Sequence, residues 1–228
     1  MLRAVIFDFD GVIADTEYLH FKAFNMVFDK LGVNITKDKY YSDYLGFSDI
    51  DCIRAVNKDY NLGLGIADYK AIIAKKSKVF DKLAVKEGDI IEGAAEMINM
   101  LRQNSVRIGI CSGALLNEIK LMLSMSGFSE AFEVIVAADH VSKGKPDPEG
   151  YLLALERLNS NGDMKINPQE CIVIEDSQWG LEAAGAANMR RIAVTNTYHE
   201  DILAPIAEMT VSNLADVSME KIKSLCPD

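Results

Sequence analysis

The chain has 228 residues, a formal net charge of −10 at pH 7, 49% apolar residues and 25% charged residues. This is the balance of an ordinary globular protein, long enough for one large domain or two modest ones. The acidic excess argues against a nucleic-acid backbone or an anionic membrane as partner, yet it permits an anionic substrate wherever a local cation inverts the field.

The run Ala4-Val5-Ile6-Phe7 is short, apolar and partly β-branched, as a buried strand should be, and sets a strand over 3–7. The run stops at two carboxylates one residue apart, Asp8 and Asp10, and Gly11 then turns the chain. Acids where a parallel strand runs out, ahead of a glycine turn, stand where α/β proteins place their chemistry. They are also ordinary turn formers, and taken alone either account serves.

From Glu17 to Leu83 no strand pattern appears. Phe21, Phe24, Phe28 and Leu31 recur at helical spacing, with Gly32 as the stop. Ile50, Ile53 and Val56 predict a second helix, and Tyr69, Ile72, Ile73 and Val79 a third. The expectation is an all-α domain over 17–83, inserted into an α/β core formed by 1–16 and 84–228. Two chain crossings between the domains would make a hinge, and the helices a lid.

Beyond the insert, strands are predicted at 106–111, 133–137, 171–174 and 191–195. Helical patterns fall between them: Glu118 to Met125, stopped near Gly127; 149–158, with Leu152, Leu155 and Leu158; and an Ala-rich stretch at 179–187, interrupted by Gly180 and Gly185. Strand and helix in this alternation read as βαβ units in a doubly wound parallel sheet. No stretch approaches the roughly 20 apolar residues of a membrane span. The N-terminus lacks the basic region and apolar core of a secretion signal. Cys52, Cys111, Cys171 and Cys226 lie far apart with no metal-binding spacing, so reduced thiols and a cytoplasmic location are expected.

Further chemistry-bearing residues follow the predicted strands. Ser112 and Gly113 follow the second, a loop with Lys143, Lys145 and Pro146 follows the third, and Glu175, Asp176 and Ser177 close the fourth. Each has a plain alternative: Ser112 as a helix cap, Lys145 as a solvated loop lysine, Glu175–Ser177 as a cluster answering a helix dipole. Together, on one sheet edge, they suit a different purpose. Carboxylates crowded in a partly buried site must share protons or hold a cation, and oxygen ligands favour a hard ion such as Mg2+. Lys145 and Ser112 suit phosphate oxygens. One Asp could then be a nucleophile and a second, two residues on, an acid and base.

The segment Asp8-Phe9-Asp10-Gly11-Val12 with Asp15-Thr16, then Ser112, Lys145-Pro146 and Glu175-Asp176, resembles the four motifs of the haloacid dehalogenase superfamily along the whole chain. The resemblance implies a Rossmann-like α/β core with a helical cap. It implies Asp8 as nucleophile, Asp10 as acid and base, and Ser112 and Lys145 on the transferring phosphoryl group. Mg2+ would be held by Asp8, the backbone carbonyl of Asp10 and Asp176, with Glu175 close by. Gly11 and Gly113 would border the phosphate. The insert resembles the cap of the subgroup containing β-phosphoglucomutase and phosphoglycolate phosphatase. There His20, Lys76 and Gly46, in the segment Leu45–Asp49, would face the substrate, with Glu17 as a contact for a hydroxyl. Asp49 stands where the mutase carries an arginine for a second phosphate. The implied function is a Mg2+-dependent phosphatase of a small phosphorylated metabolite, a sugar or polyol phosphate, acting as a monomer through an aspartyl-phosphate. The alternatives are a β-phosphoglucomutase-type mutase and a non-catalytic phosphate- or partner-binding relative.

Overall fold

The computed structural model describes residues 1–161 and 164–226. Its first strand, β1 (Ala4–Phe7), is buried at every residue. Side chains alternate along a strand. Val5 and Phe7 accordingly join one apolar cluster, and Ala4 and Ile6 join another on the opposite face. Such a two-sided strand belongs in the middle of a parallel sheet covered on both faces. Five further strands complete it: β2 (Arg107–Cys111), β3 (Val134–Val136), β4 (Cys171–Glu175), β5 (Arg190–Val194) and β6 (Met209–Val211). The order is β3-β2-β1-β4-β5-β6 and every pairing is parallel.

Between β1 and β2 the chain forms α1 (Glu17–Phe28), α2 (Lys37–Asp43), α3 (Asp49–Asp59), α4 (Ile66–Glu87) and α5 (Ala94–Gln103). The first four carry their own apolar cluster, including Phe24, Phe28, Tyr40, Ile53, Val56 and Ile72. The Phe24 and Phe28 rings stack at 5.5 Å, as their four-residue spacing requires. Leu31 departs from the predicted stripe: the helix tightens to a 3-10 turn over Asp29–Leu31, which leaves that side chain 42% exposed before Gly32 turns left-handed. The chain leaves and re-enters the sheet layer side by side, with the Asp15 amide donating to the Asp89 carbonyl and the Ile91 amide to the Ile13 carbonyl.

The sheet is covered on one face by α5, α6 (Leu116–Ser126) and α10 (Met219–Leu225), and on the other by α7 (Glu149–Ser160) and α8 (Gln178–Ala186). A short helix, α9 (Glu200–Leu203), follows β5. The expected α/β doubly wound fold is therefore present. Gly180 and Gly185 do not interrupt α8. They thin it where Glu175 and Arg191 press against its backbone, so that an added Cβ would lie 1.6 Å from Glu175 Oε1 or 2.5 Å from Arg191 Nη1. All four cysteines are buried and free. No described helix is long and apolar enough to cross a membrane.

Candidate active site

The connection from β1 runs to β2 on one side of the sheet, while that from β4 runs to β5 on the other. Where neighbouring strands part in this way, a crevice opens at their carboxyl ends. Asp8 and Asp10 follow β1, and Glu175 and Asp176 close β4, so the sheet order itself brings them to the same crevice. The Asp8 amide donates to the Ile174 carbonyl, which extends the pairing one residue past the strand.

Asp8, Glu175 and Asp176 are buried, and one carboxylate oxygen of each lies within 4.8 Å of the others. The Lys145 ammonium bridges Asp8 Oδ1 and Glu175 Oε1, with 2.5 Å to the latter. Burial acts first on the Asp8 carboxyl and, with the charges of Glu175 and Asp10, drives it well above the usual range against the opposing pull of Lys145. Asp176 is pushed the same way by burial, Glu175 and Asp8. Burial works against the Lys145 ammonium, but Asp8 and Glu175 outweigh it and hold the charge firmly. One ammonium among three carboxylates leaves the group short of positive charge. A hard divalent cation on Asp8 and Asp176 fits that deficit. Glu175 is already saturated: Oε1 accepts from Lys145 and from the Tyr151 hydroxyl at 2.9 Å, and Oε2 from the Asp176 and Ser177 amides and the Ser177 hydroxyl.

Asp10 is held quite differently. Its Oδ1 accepts from the Thr16 hydroxyl at 2.5 Å and meets His20 Nε2 at 3.2 Å, and its Oδ2 accepts from the Ser112 hydroxyl at 3.1 Å. Burial alone would raise its pKa. The hydrogen bond and charge of His20, with Thr16 and the field of Lys76, win and bring it to about 2. His20 is raised in turn: burial and Lys76 lower it, but Asp10 and Glu118 prevail. Two carboxylates two residues apart thus sit in opposite electrostatic states. Ser112 also accepts from the Ala114 amide at 2.9 Å, so its role as a local cap and its link to Asp10 coexist.

Lys76 is fully buried rather than a solvated helix lysine. Its ammonium contacts Asp49 Oδ1 at 2.8 Å and Glu118 of α6 at 3.2 Å, and lies 5.0 Å from the Phe80 ring centroid. His20 stacks on the same Phe80 at 4.5 Å. Glu17, in the first turn of α1, has its carboxyl raised by burial, with His20 and a Tyr40 hydrogen bond opposing. Gly11 sits at φ +76, and a Cβ there would fall 1.9 Å from Asp176 Oδ2. Gly46, at φ +75, lies beside the Tyr198 hydroxyl, and nothing lies within 4 Å of where a Gly113 Cβ would stand.

Several groups at the site carried no sequence signal. Tyr151 reaches Glu175 from α7, and its register is readable only after the packing is known. The loop after β5 brings Asn196 Nδ2 to the Gly11 carbonyl at 2.8 Å and the Tyr198 hydroxyl to the Leu45 carbonyl at 3.1 Å. A loop following a predicted strand end was the one available clue.

A model of the family described as haloacid dehalogenase-like hydrolase matches residues 5–194. A phosphorylated carbohydrates phosphatase of Thermotoga maritima is 32% identical over 192 residues, 84% of either chain. Among solved structures, CbbY of Rhodobacter sphaeroides in complex with phosphate superposes with a TM-score of 0.85 at 26% identity, covering 98% of this chain and 100% of its own. A β-phosphoglucomutase of Clostridium difficile gives 0.87 at 27% identity, covering 99% and 97%. The strand-end carboxylates, the lysine between them and these likenesses agree, and the chain belongs to the haloacid dehalogenase-like hydrolases.

Proposed function

We propose that this protein is a Mg2+-dependent phosphatase that hydrolyses a small sugar or polyol monophosphate through an aspartyl-phosphate on Asp8. The observation that carries the reading is the opposed pair: Asp8 clamped by Lys145, and Asp10 two residues on, clamped by His20, Thr16 and Ser112. Lys145 favours the ionised, nucleophilic form of Asp8, while Asp10 answers to a separate set of partners, so the two carboxyls can take separate nucleophilic and acid/base duties.

Asp8 attacks phosphorus as the bond to the ester oxygen breaks. Lys145 and Ser112 steady the phosphoryl oxygens. Asp10 delivers a proton to the departing oxygen, then takes one from the water that releases phosphate from Asp8. Its low resting pKa requires a source for that first proton. His20, raised and 3.2 Å away, holds one within reach. Asp8, Asp176 and the Asp10 backbone carbonyl would hold Mg2+, while Glu175, saturated by five donors, orients Lys145. When bound, the ion supplies charge that offsets the repulsion between a carboxylate and a phosphate.

Helices 17–83 serve in this reading as the specificity domain and lid over the crevice. The likeness to a β-phosphoglucomutase supports a second reading, in which the cap grips another phosphate. The Lys76 pairing speaks against it, since that ammonium is committed to Asp49 and Glu118. Phosphate release from a panel of sugar, polyol and glycolate monophosphates, with Mg2+ and then EDTA, tests the proposal. Metal-dependent release from a few compounds supports it. Silence across the panel, with interconversion of β-glucose 1-phosphate in the presence of its bisphosphate, would favour the mutase.

A further inference from the structure

The loop Thr195–His199, between β5 and α9, touches three parts of the site within three consecutive residues. Asn196 donates to the Gly11 carbonyl at 2.8 Å, in the turn that follows Asp10. The Thr197 hydroxyl stands beside the Asp176 carboxylate, both crowding the place a Gly11 Cβ would take, and it favours the charged form of that carboxyl. The next residue, Tyr198, donates to the Leu45 carbonyl at 3.1 Å, and Leu45 opens the loop between α2 and α3. The ring of Tyr198 is anchored on the core side by Leu181, Ala193 and Leu203. Gly11 is the floor of the arrangement: the place a Cβ would take is filled by Asp176 Oδ2 at 1.9 Å and by Thr197 Oγ1 at 2.8 Å. The Asp176 carboxylate is thus held between a backbone with no side chain and one hydroxyl. That hydroxyl belongs to a loop whose next residue is tied to the helical insert.

We propose that Thr197 is a positioning residue for the cation-holding carboxylate Asp176, and that Tyr198 couples its placement to the cap loop, so that Mg2+ affinity depends on the cap contact. The inference rests on the reading of Asp176 as a Mg2+ ligand. Its physical basis is that hydrogen bonds to a ligand carboxylate fix its direction, and that removing such a partner typically weakens metal binding by about 10- to 100-fold. Coupling between sites is reciprocal, so a contact that favours the ion is itself favoured by the ion.

The test is calorimetric titration of the EDTA-stripped protein with Mg2+ alone, for wild type, Thr197→Val, Thr197→Ser and Tyr198→Phe. Val keeps the shape and removes the donor, and is expected to weaken Mg2+ about tenfold. Ser keeps the hydroxyl and should bind within about twofold of wild type, which a merely structural loss would not produce. Phe keeps the ring and removes only the tie to Leu45. It is expected to weaken Mg2+ by about two- to tenfold, the worth of one hydrogen bond, although Tyr198 touches no carboxylate. Unchanged affinity in Thr197→Val overturns the positioning role, and unchanged affinity in Tyr198→Phe overturns the coupling. Absence of Mg2+ binding in wild type would overturn both, together with the metal reading of the site, and is thereby distinguishable from failure of the inference alone.

Discussion

Asp10 and His20 show how two residues ten apart define each other's charge. The Asp10 carboxyl lies at about 2, and its depression from an unfolded value near 3.9 corresponds to roughly 2 kcal/mol of stability. That contribution is present above the unfolded value and fades as pH falls through about 2. His20 is shifted the other way, so its contribution is complete below about 6.5 and fades as pH rises through its raised pKa. The pair is therefore strongest between about pH 4 and 6.5. His20→Phe, which keeps the stack on Phe80, should lower denaturant stability most in that window, with the deficit shrinking as pH rises further. A pH-independent deficit would show that packing alone is lost. At this scale Asp8, Asp10, Glu175 and Asp176 were legible from their places at strand ends, and Lys145 from the loop that follows β3. The saturation of Glu175 was not, because Tyr151 and the Ser177 cap enter only once α7 and α8 are docked. The burial of Lys76 was not legible either, since it lies in a run of lysines and periodicity does not reveal which lysine of such a run turns inward.

Among the elements, the glycine turn after β1 and the helix after β4 set the geometry of the crevice. Gly11 is left-handed and its missing Cβ is where Asp176 sits. Gly11→Ala carries about 1–2 kcal/mol of backbone strain and also displaces that carboxylate. Thermal unfolding with and without Mg2+ should show a lower melting temperature and loss of the metal-induced rise. A variant with the full rise would mean Asp176 does not need its place over Gly11. The strands β1 to β5 were legible because buried parallel strands are continuous apolar runs. β6 was not: Met209–Val211 is three residues long and only half-buried, so it lacks that signature. α2 and α9 are too short for periodicity to declare them. α8 was expected to break at its glycines, and instead uses them to approach Glu175 and Arg191.

At the scale of the whole molecule, the insert and the sheet layer are joined by charge as well as by the chain. Lys76 of α4 is fully buried between Asp49 of α3 and Glu118 of α6. Removing one partner of such a group strands the others in a poor solvent. Lys76→Met should cost about 3–5 kcal/mol in denaturant unfolding, and a second change, Glu118→Gln, should recover part of it. A cost below about 1 kcal/mol would mean the group is solvated in solution, as exposed pairs are. That the stretch after β1 would be helical was legible because 65 or so residues without a strand pattern do not feed a sheet, and α1 to α4 there carry their own apolar cluster. The clasp that closes the parts together was not, since it depends on the packing of three helices. The most direct measurement is Mg2+-dependent phosphate release by Asp8→Asn beside wild type, with far-ultraviolet circular dichroism as the check on folding. Loss of the nucleophile predicts at least a thousandfold fall, roughly, in a variant that folds normally. Near-normal release from folded Asp8→Asn would contradict the aspartyl-phosphate mechanism.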